Sequence, residues 1–288
     1  MKWSETSILK SRKNTIICEF FLKRGYIFGW FIYAYMPEVL LQLRPVGGFK
    51  GYKRAFDMAE RSGFDGVELD GCHIGSDCDR IQLLSLEHGL PIKSMIAQGP
   101  ISYYLFDYMA DHRAIEEIDP ELLVFKVPRA TILGWPLKKL YVDQIKKYGE
   151  KFGRSRVAVE NSCSSRMSMA QPLFNLKRLR DLAYEHDVSI NFDISDCAAS
   201  GMDILLSCDM LIPRIRNVHF SDYGGHSTGG HIFPGFGLLP LGMLLSRLHE
   251  YRYDGLITLE IDRREMPYPE DDHVTLFSEM VGFIRSYF

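Results

Sequence analysis

The chain lacks closely spaced cysteine pairs. Its six cysteines, at positions 18, 72, 78, 163, 197 and 208, form no C-x-x-C motif and no zinc-finger spacing. That excludes a cysteine-ligated zinc module. In 288 residues, of which 46% are hydrophobic, it predicts reduced thiols in a cytoplasmic protein. A basic excess is missing too. Lys and Arg number 34 against 37 Asp and Glu, for a formal charge of −3 and a pI near 6.3. General nucleic-acid and membrane-surface binders carry the opposite balance, so neither partner is expected. The compact basic cluster Lys10-Ser11-Arg12-Lys13 reads as a solvated stretch. Long apolar runs are also lacking. Tyr26 to Met36 is short and aromatic, has no small-residue cleavage site and runs into Pro37-Glu38. A membrane span needs about 20 apolar residues, so neither a span nor a signal peptide is expected there.

No linker, low-complexity tract or composition break divides the chain, and 25% charged residues is ordinary for a soluble domain. From about residue 50 two textures alternate. Amphipathic stretches of helical length cover Tyr52–Ser62, Asp79–Gly89, Leu137–Phe152, Leu176–His186, Leu239–Tyr251 and Val274–Tyr287. Between them lie short β-branched or aromatic runs at Gly66–Leu69, Ile92–Ala97, Leu122–Val127, Val157–Glu160, Val188–Asp193, Ile215–Phe220 and Leu256–Ile261. Such alternation predicts βαβ units and a parallel sheet. Seven strands are visible, and the aromatic run from Tyr26 to Tyr35 is a candidate eighth. The expected fold is α/β, a single (β/α)8 barrel over residues 25–288 behind an N-terminal extension, 1–24. Within that extension, Thr15 to Leu22 reads either as an extra strand at the barrel bottom or as the first barrel strand. An open doubly wound sheet normally carries a Gly-rich phosphate turn after its first strand. Here Gly47-Gly48-Phe49-Lys50-Gly51 lacks the G-x-G-x-x-G spacing, and no P-loop is present.

Four strands in the second half end on an ionisable side chain: Val157-Ala-Val-Glu160, Ile190-Asn-Phe-Asp193, Asn217-Val-His219 and Leu256-Ile-Thr-Leu-Glu260. A charge at the end of a buried strand is costly unless it is paired or bound to a metal. In a barrel, successive strand ends surround one mouth, so these four can meet at one ion. Three carboxylates and one imidazole suit Mn2+, Mg2+ or Co2+ better than a structural zinc. A carboxylate bound through one oxygen keeps the other for proton transfer. Glu160 and Glu260 are therefore the expected acid/base pair, with Asp193 and His219 as ligands only.

The run Met58-Ala-Glu-Arg-Ser-Gly-Phe-Asp-Gly-Val-Glu-Leu69 resembles the helix-one to strand-two signature of the xylose isomerase-like TIM barrels, the sugar phosphate isomerase/epimerase group that includes AP-endonuclease type 2-like barrels. Glu160, Asp193, His219 and Glu260 match that group's ligands on strands five to eight. His231-Ile-Phe-Pro-Gly-Phe-Gly237 resembles its H-x-x-P-G-x-G loop. The resemblance implies a divalent-metal enzyme whose two glutamates exchange protons with a sugar through an enediolate. The ion expected first is Mn2+, with Mg2+, Co2+ or Zn2+ as alternatives.

Departures narrow the reaction. Group epimerases carry D-x-x-H on strand six, where Asp193 is followed by Asp196, and an arginine six residues after the strand-seven histidine, where Gly225 stands. These make a metal-dependent lyase or dehydratase on a keto-sugar or polyol derivative the main alternative. A barrel without activity, serving as a binding or assembly subunit, is the alternative of another class. The endonuclease histidines on strands three and four are replaced by Met95-Ile-Ala-Gln98 and Phe125-Lys-Val-Pro128, against a DNA-repair nuclease.

Further candidates for substrate contact are Glu68, His73, Lys126, Asp196, His226 and His231. Glu68 reads equally as a partner of Lys126, which needs a barrel carboxylate beside it. The aromatic cluster Tyr103, Tyr104, Phe106 and Tyr108 is a candidate lid wall, and 263–272 a charged loop at the catalytic face. The expected partner is a small-molecule sugar or polyol, without nucleic acid or membrane. Assembly as a homo-oligomer is left open. The lack of an Arg/Lys cluster at the later strand ends leans against a phosphorylated substrate.

Overall fold

A computed structural model describes residues 35–288 apart from 45–47, 72–73, 75–76, 98–107, 131–133, 165–170, 226–229 and 267–271, together with three short strands nearer the start. Those three, Ile8–Lys10, Thr15–Cys18 and Trp30–Tyr33, pair antiparallel in a sheet of their own.

Eight parallel strands close a barrel. They are β1 (Glu38–Leu43), β2 (Gly66–Asp70), β3 (Ile92–Ile96), β4 (Leu122–Lys126), β5 (Val157–Glu160), β6 (Ser189–Asp193), β7 (Ile215–Phe220) and β8 (Leu256–Leu259). Each pairs with its neighbours in sequence, and β8 closes on β1 through Leu256 opposite Glu38 and Leu259 opposite Leu41. Seven of the strands lie where alternation placed them. The eighth is a correction. The described strands within the two candidate runs, Thr15–Cys18 and Trp30–Tyr33, lie in the separate sheet, and Glu38–Leu43 takes the place in the barrel. Its sequence, Glu-Val-Leu-Leu-Gln-Leu, hides behind Pro37 and shows no clean alternation.

Nine helices are present among the described residues: α1 (Phe49–Arg61), α2 (Cys78–Glu87), α3 (Tyr108–Ile118), α4 (Gly134–Phe152), α5 (Leu176–His186), α6 (Ile194–Ala199), α7 (Ile204–Leu211), α8 (Leu241–Glu250) and α9 (His273–Arg285). None is long and apolar enough to cross a membrane. Six match the expected amphipathic stretches. Their buried faces have helical spacing, as with Leu176, Leu179, Leu182 and Ala183 on α5, and Leu241, Leu244, Leu245 and Leu248 on α8. The other three, α3, α6 and α7, were not anticipated. The α6–α7 pair begins directly after Asp193, whose side chain accepts the Asp196 amide at 2.9 Å and so starts the helix.

Two cores hold the barrel. The larger lies between strands and helices. The smaller fills the barrel axis with Leu40, Leu122, Val124, Ala158 and Leu256. Side chains two residues further along the strands are polar and buried: Gln42, Glu68, Asn191, Asn217 and Thr258. Because the side-chain period of a strand is two, they share the interior face with the apolar plug and lead up to the ligand-bearing ends.

Candidate metal centre

Glu160 ends β5, Asp193 ends β6, His219 lies on β7, and Glu260 follows β8 by one residue. Register sets Asp193 beside His219 across the β6–β7 ladder. Ligand-type atoms of Glu160, Asp193 and His219 all lie within 4.8 Å of one another, as do those of Asp193, His231 and Glu260. His219 Nδ1 is 2.6 Å from Glu260 Oε2 and 3.5 Å from Glu160 Oε2. The four expected ligands thus converge at one locus. All four are essentially inaccessible to solvent.

The donor set fits a divalent cation on an observation of its own. Both ring nitrogens of His219 and Oε2 of Glu260 are buried, yet none makes an aligned hydrogen bond. Buried polar atoms normally have a partner; His219 Nδ1 and Glu260 Oε2 instead face each other at 2.6 Å beside Glu160, as members of a metal-ligand set do, while His219 Nε2 faces Glu68. Carboxylate oxygens with a single imidazole make a hard, oxygen-rich site suited to Mn2+, Mg2+ or Co2+.

Beneath these four residues lies a polar layer of which only Glu68 was singled out from the sequence. Glu68 is fully buried and accepts hydrogen bonds from Gln42 Nε2 at 2.8 Å, Ser94 Oγ at 2.5 Å and Asn217 Nδ2 at 3.2 Å. Its Oε1 lies 2.9 Å from His219 Nε2. Glu68 therefore meets His219 rather than Lys126. A carboxylate behind a ligating imidazole orients the ring and raises its basicity. Asn191 donates to Glu160 Oε2 at 2.7 Å, and Thr258 donates to Asn217 Oδ1 at 2.9 Å. The signal that would have found part of this layer is a polar residue two positions before Asp193, His219 and Glu260, namely Asn191, Asn217 and Thr258.

Lys126 ends β4 and contacts Glu160 Oε1 at 2.9 Å, Asp196 Oδ2 at 2.9 Å and Asp193 Oδ2 at 3.4 Å. It is the ion-paired lysine the strand position required, with Asp196 as one of its three carboxylates. Arg44, one residue past β1, was missed altogether because its strand was missed. Its Nη2 lies 2.7 Å from Glu260 Oε1 and its Nε 3.4 Å from Asp70.

His231 reaches the same locus from the loop after β7. Its Nε2 is 3.9 Å from Asp193 Oδ2, its Nδ1 3.8 Å from Glu260 Oε2 and 3.3 Å from Ser221 Oγ. Its backbone is left-handed, at φ 58°, and is held by Ser195 Oγ, which accepts the His231 amide at 2.9 Å. A non-glycine residue in that region is strained and needs such support. The loop is built around Asp222, whose carboxylate accepts the amides of Tyr223, Gly235, Gly237 and Leu239 at 2.8 to 3.0 Å. A side chain at Gly237 would overlap that carboxylate. His73, His226 and the aromatics at 103–106 lie outside the described residues.

Electrostatics follow from crowding. Burial works against a charged His219 ring, and Glu68, Glu260 and Glu160 outweigh it, raising its pKa well above the usual value. Burial raises the Glu260 carboxyl, and His231, His219 and Arg44 outweigh it, holding it well below the carboxylate range. Burial and Asp196 push the Asp193 carboxyl up. One cluster of carboxylates therefore contains groups driven in opposite directions, as at sites that must hold and move protons.

The sequence profile described as xylose isomerase-like TIM barrel matches residues 125–287, more than half of the chain. No curated protein sequence matches it. Among solved structures, 3-keto-D-glucoside 4-epimerase from E. coli is 18% identical and superposes with a TM-score of 0.65 over 87% of this chain and 99% of that one. D-allulose 3-epimerase from Methylomonas sp. is 13% identical, with a TM-score of 0.66 over 88% and 98%. A probable 3-DHS dehydratase from Bacillus anthracis is 16% identical, with a TM-score of 0.61 over 85% and 98%. At these identities the likeness is one of fold. The sequence match is independent of it and spans the strand ends that carry Glu160, Asp193, His219 and Glu260, so the chain belongs to the xylose isomerase-like TIM barrel family.

Proposed function

We propose that the protein is a divalent-metal-dependent isomerase or epimerase of a sugar, keto-sugar or related polyol. The observation that carries this is the convergence of Glu160, Asp193, His219 and Glu260, with His219 Nδ1 and Glu260 Oε2 face to face there and without an aligned hydrogen bond. A bound divalent ion would polarise a substrate carbonyl and its neighbouring hydroxyl, acidifying the adjacent C–H. Glu160 and Glu260 project from strands three places apart, so they address a carbon from two directions. One carboxylate takes the proton from carbon, leaving an enediolate, and the partner carboxyl returns a proton on the other face. Asp193 and His219 serve as ligands, and Glu68 orients the ring of His219. His231, on its Asp222-braced loop, is placed for contact with a substrate oxygen. Proteins of this fold named as sugar epimerases support the substrate class.

A second outcome is favoured by one specific feature. Asp196 and Gly225 stand where the family's epimerases carry histidine and arginine, so loss of a β-substituent from the same intermediate is the competing fate, giving a lyase or dehydratase. A dehydratase among the structural neighbours is in keeping with it.

The test is metal content per chain in wild type, Glu160→Gln and Glu260→Gln, followed by solvent deuterium uptake into a panel of ketoses. One equivalent of metal in wild type, reduced in both variants, with exchange slowed by about 10²–10⁴-fold, is expected. No metal under any loading condition sinks the proposal. Metal binding with β-elimination instead of exchange moves the protein to the lyase branch.

A further inference from the structure

The two glutamates assigned to proton transfer are held alike, by cations from the strands that flank the ligand arc. Ligands come from β5 to β8. On one side β4 supplies Lys126, whose Nζ lies 2.9 Å from Glu160 Oε1. On the other side β1 supplies Arg44, whose Nη2 lies 2.7 Å from Glu260 Oε1. In each glutamate Oε1 meets the cation and Oε2 faces inward: Glu260 Oε2 to His219 at 2.6 Å, Glu160 Oε2 to Asn191 at 2.7 Å. Each cation is held in turn by an aspartate outside the set of four, Asp196 at 2.9 Å from Lys126 and Asp70 at 3.4 Å from Arg44, and Lys126 also lies 3.4 Å from Asp193. The glutamate side chains are 1–2% exposed, whereas those of Lys126 and Arg44 are about 40% exposed, so the cations lie on the solvent side.

We propose that Glu160–Lys126–Asp196 and Glu260–Arg44–Asp70 are two positioning triads that clamp the outer oxygen of each acid/base glutamate and reserve the inner oxygen for the metal locus. This rests on the metal-enzyme assignment above and deepens it. A carboxylate can rotate about its last bond, and a cation fixed to one oxygen removes that freedom before substrate arrives. It also accounts for Asp196. In place of the histidine of the family's epimerases, the chain carries a counter-ion for a lysine, and the pair Lys126 and Asp196 forms one device.

The experiment uses Mn2+ alone as the probe, so that it needs no knowledge of the substrate. Removing a cation by itself would change both position and charge. The informative variants are therefore the charge-conserving doubles Lys126→Met/Asp196→Asn and Arg44→Met/Asp70→Asn. Mn2+ affinity and the line shape of bound Mn2+ are read by electron paramagnetic resonance, with circular dichroism melts as a control for folding. Positioning predicts that each double binds Mn2+ about 10–100-fold more weakly, the range for residues that orient metal ligands, with an altered line shape and an unchanged metal-free melt. Lys126→Arg, which keeps the charge and a donor, recovers part of the affinity. Mn2+ affinity within about threefold of wild type in both doubles overturns the triads while leaving the metal site standing. Failure of wild type itself to bind Mn2+ overturns the metal assignment and the triads together. If a double does not fold, Lys126→Arg alone decides: an unchanged Mn2+ line shape and affinity reject the clamp on that side.

Discussion

At the scale of single residues, environment separates side chains of one type into different chemical roles. Glu68, Glu160 and Glu260 are all buried carboxylates on the barrel interior. Glu68 is surrounded by three neutral donors and one imidazole, whereas the other two each hold a flanking cation. Glu68→Gln should therefore leave all four ligands in place and still lower metal affinity by about 10–100-fold, measured by equilibrium dialysis. Unaltered affinity would remove Glu68 from the support of His219. The cysteines give a second expectation. Burial pushes the thiols of Cys197 and Cys208 up to about 12. The thiolate is the reactive form, so neither should be alkylated by iodoacetamide at pH 8 until the protein is unfolded. Peptide mapping before and after denaturation checks this, and rapid labelling of the native protein would contradict the burial.

At the scale of elements, the loops after the strands carry the chemistry and the helices hold the loops' ends. The segment after β7 is anchored to the core by Phe233, and it is also held by one carboxylate, Asp222, accepting four backbone amides. Asp222→Ala leaves those donors without a partner and should cost roughly 3 kcal/mol. It should also release His231 from its left-handed conformation. At about 2–4 °C per kcal/mol for a domain near this size, the melt should fall by roughly 6–12 °C. A shift under about 2 °C would mean that the loop is held by something else. Asp203 plays the simpler part of a helix cap, accepting the amides of Leu205 and Leu206 at the start of α7. Asp203→Ala should cost about 1 kcal/mol in a denaturant melt, without change in metal binding.

At the scale of the whole molecule, the barrel gathers carboxylates that would repel one another, and the proposed cation would become part of the fold's energetics. A ligand that binds only the folded state stabilises it by mass action, about 2.7 kcal/mol at a free concentration one hundred times Kd. Mn2+ should therefore raise the melting temperature by roughly 5–10 °C, and chelator should reverse the change. A melt indifferent to both would argue against the site. Much of this molecule was legible in its sequence. Alternating strand and helix textures predicted the barrel because each strand has to be buried on both faces, by the helices outside and by the facing strands within. Glu160, Asp193, His219 and Glu260 were readable because each interrupts an apolar strand at its end, where a charge needs a reason. Lys126 was readable by the same logic. What only closure decided are the contacts between distant strands. Glu38–Leu43 carries no strong strand signature, yet it joins β8 to β2 and brings Arg44 to Glu260. Gln42, Ser94, Asn191 and Asn217 look like ordinary polar residues until the interior face is formed, where they become the hydrogen-bonding floor of the site. Local sequence determines which side chains are costly to bury; the closed ring of strands determines which of them relieve one another.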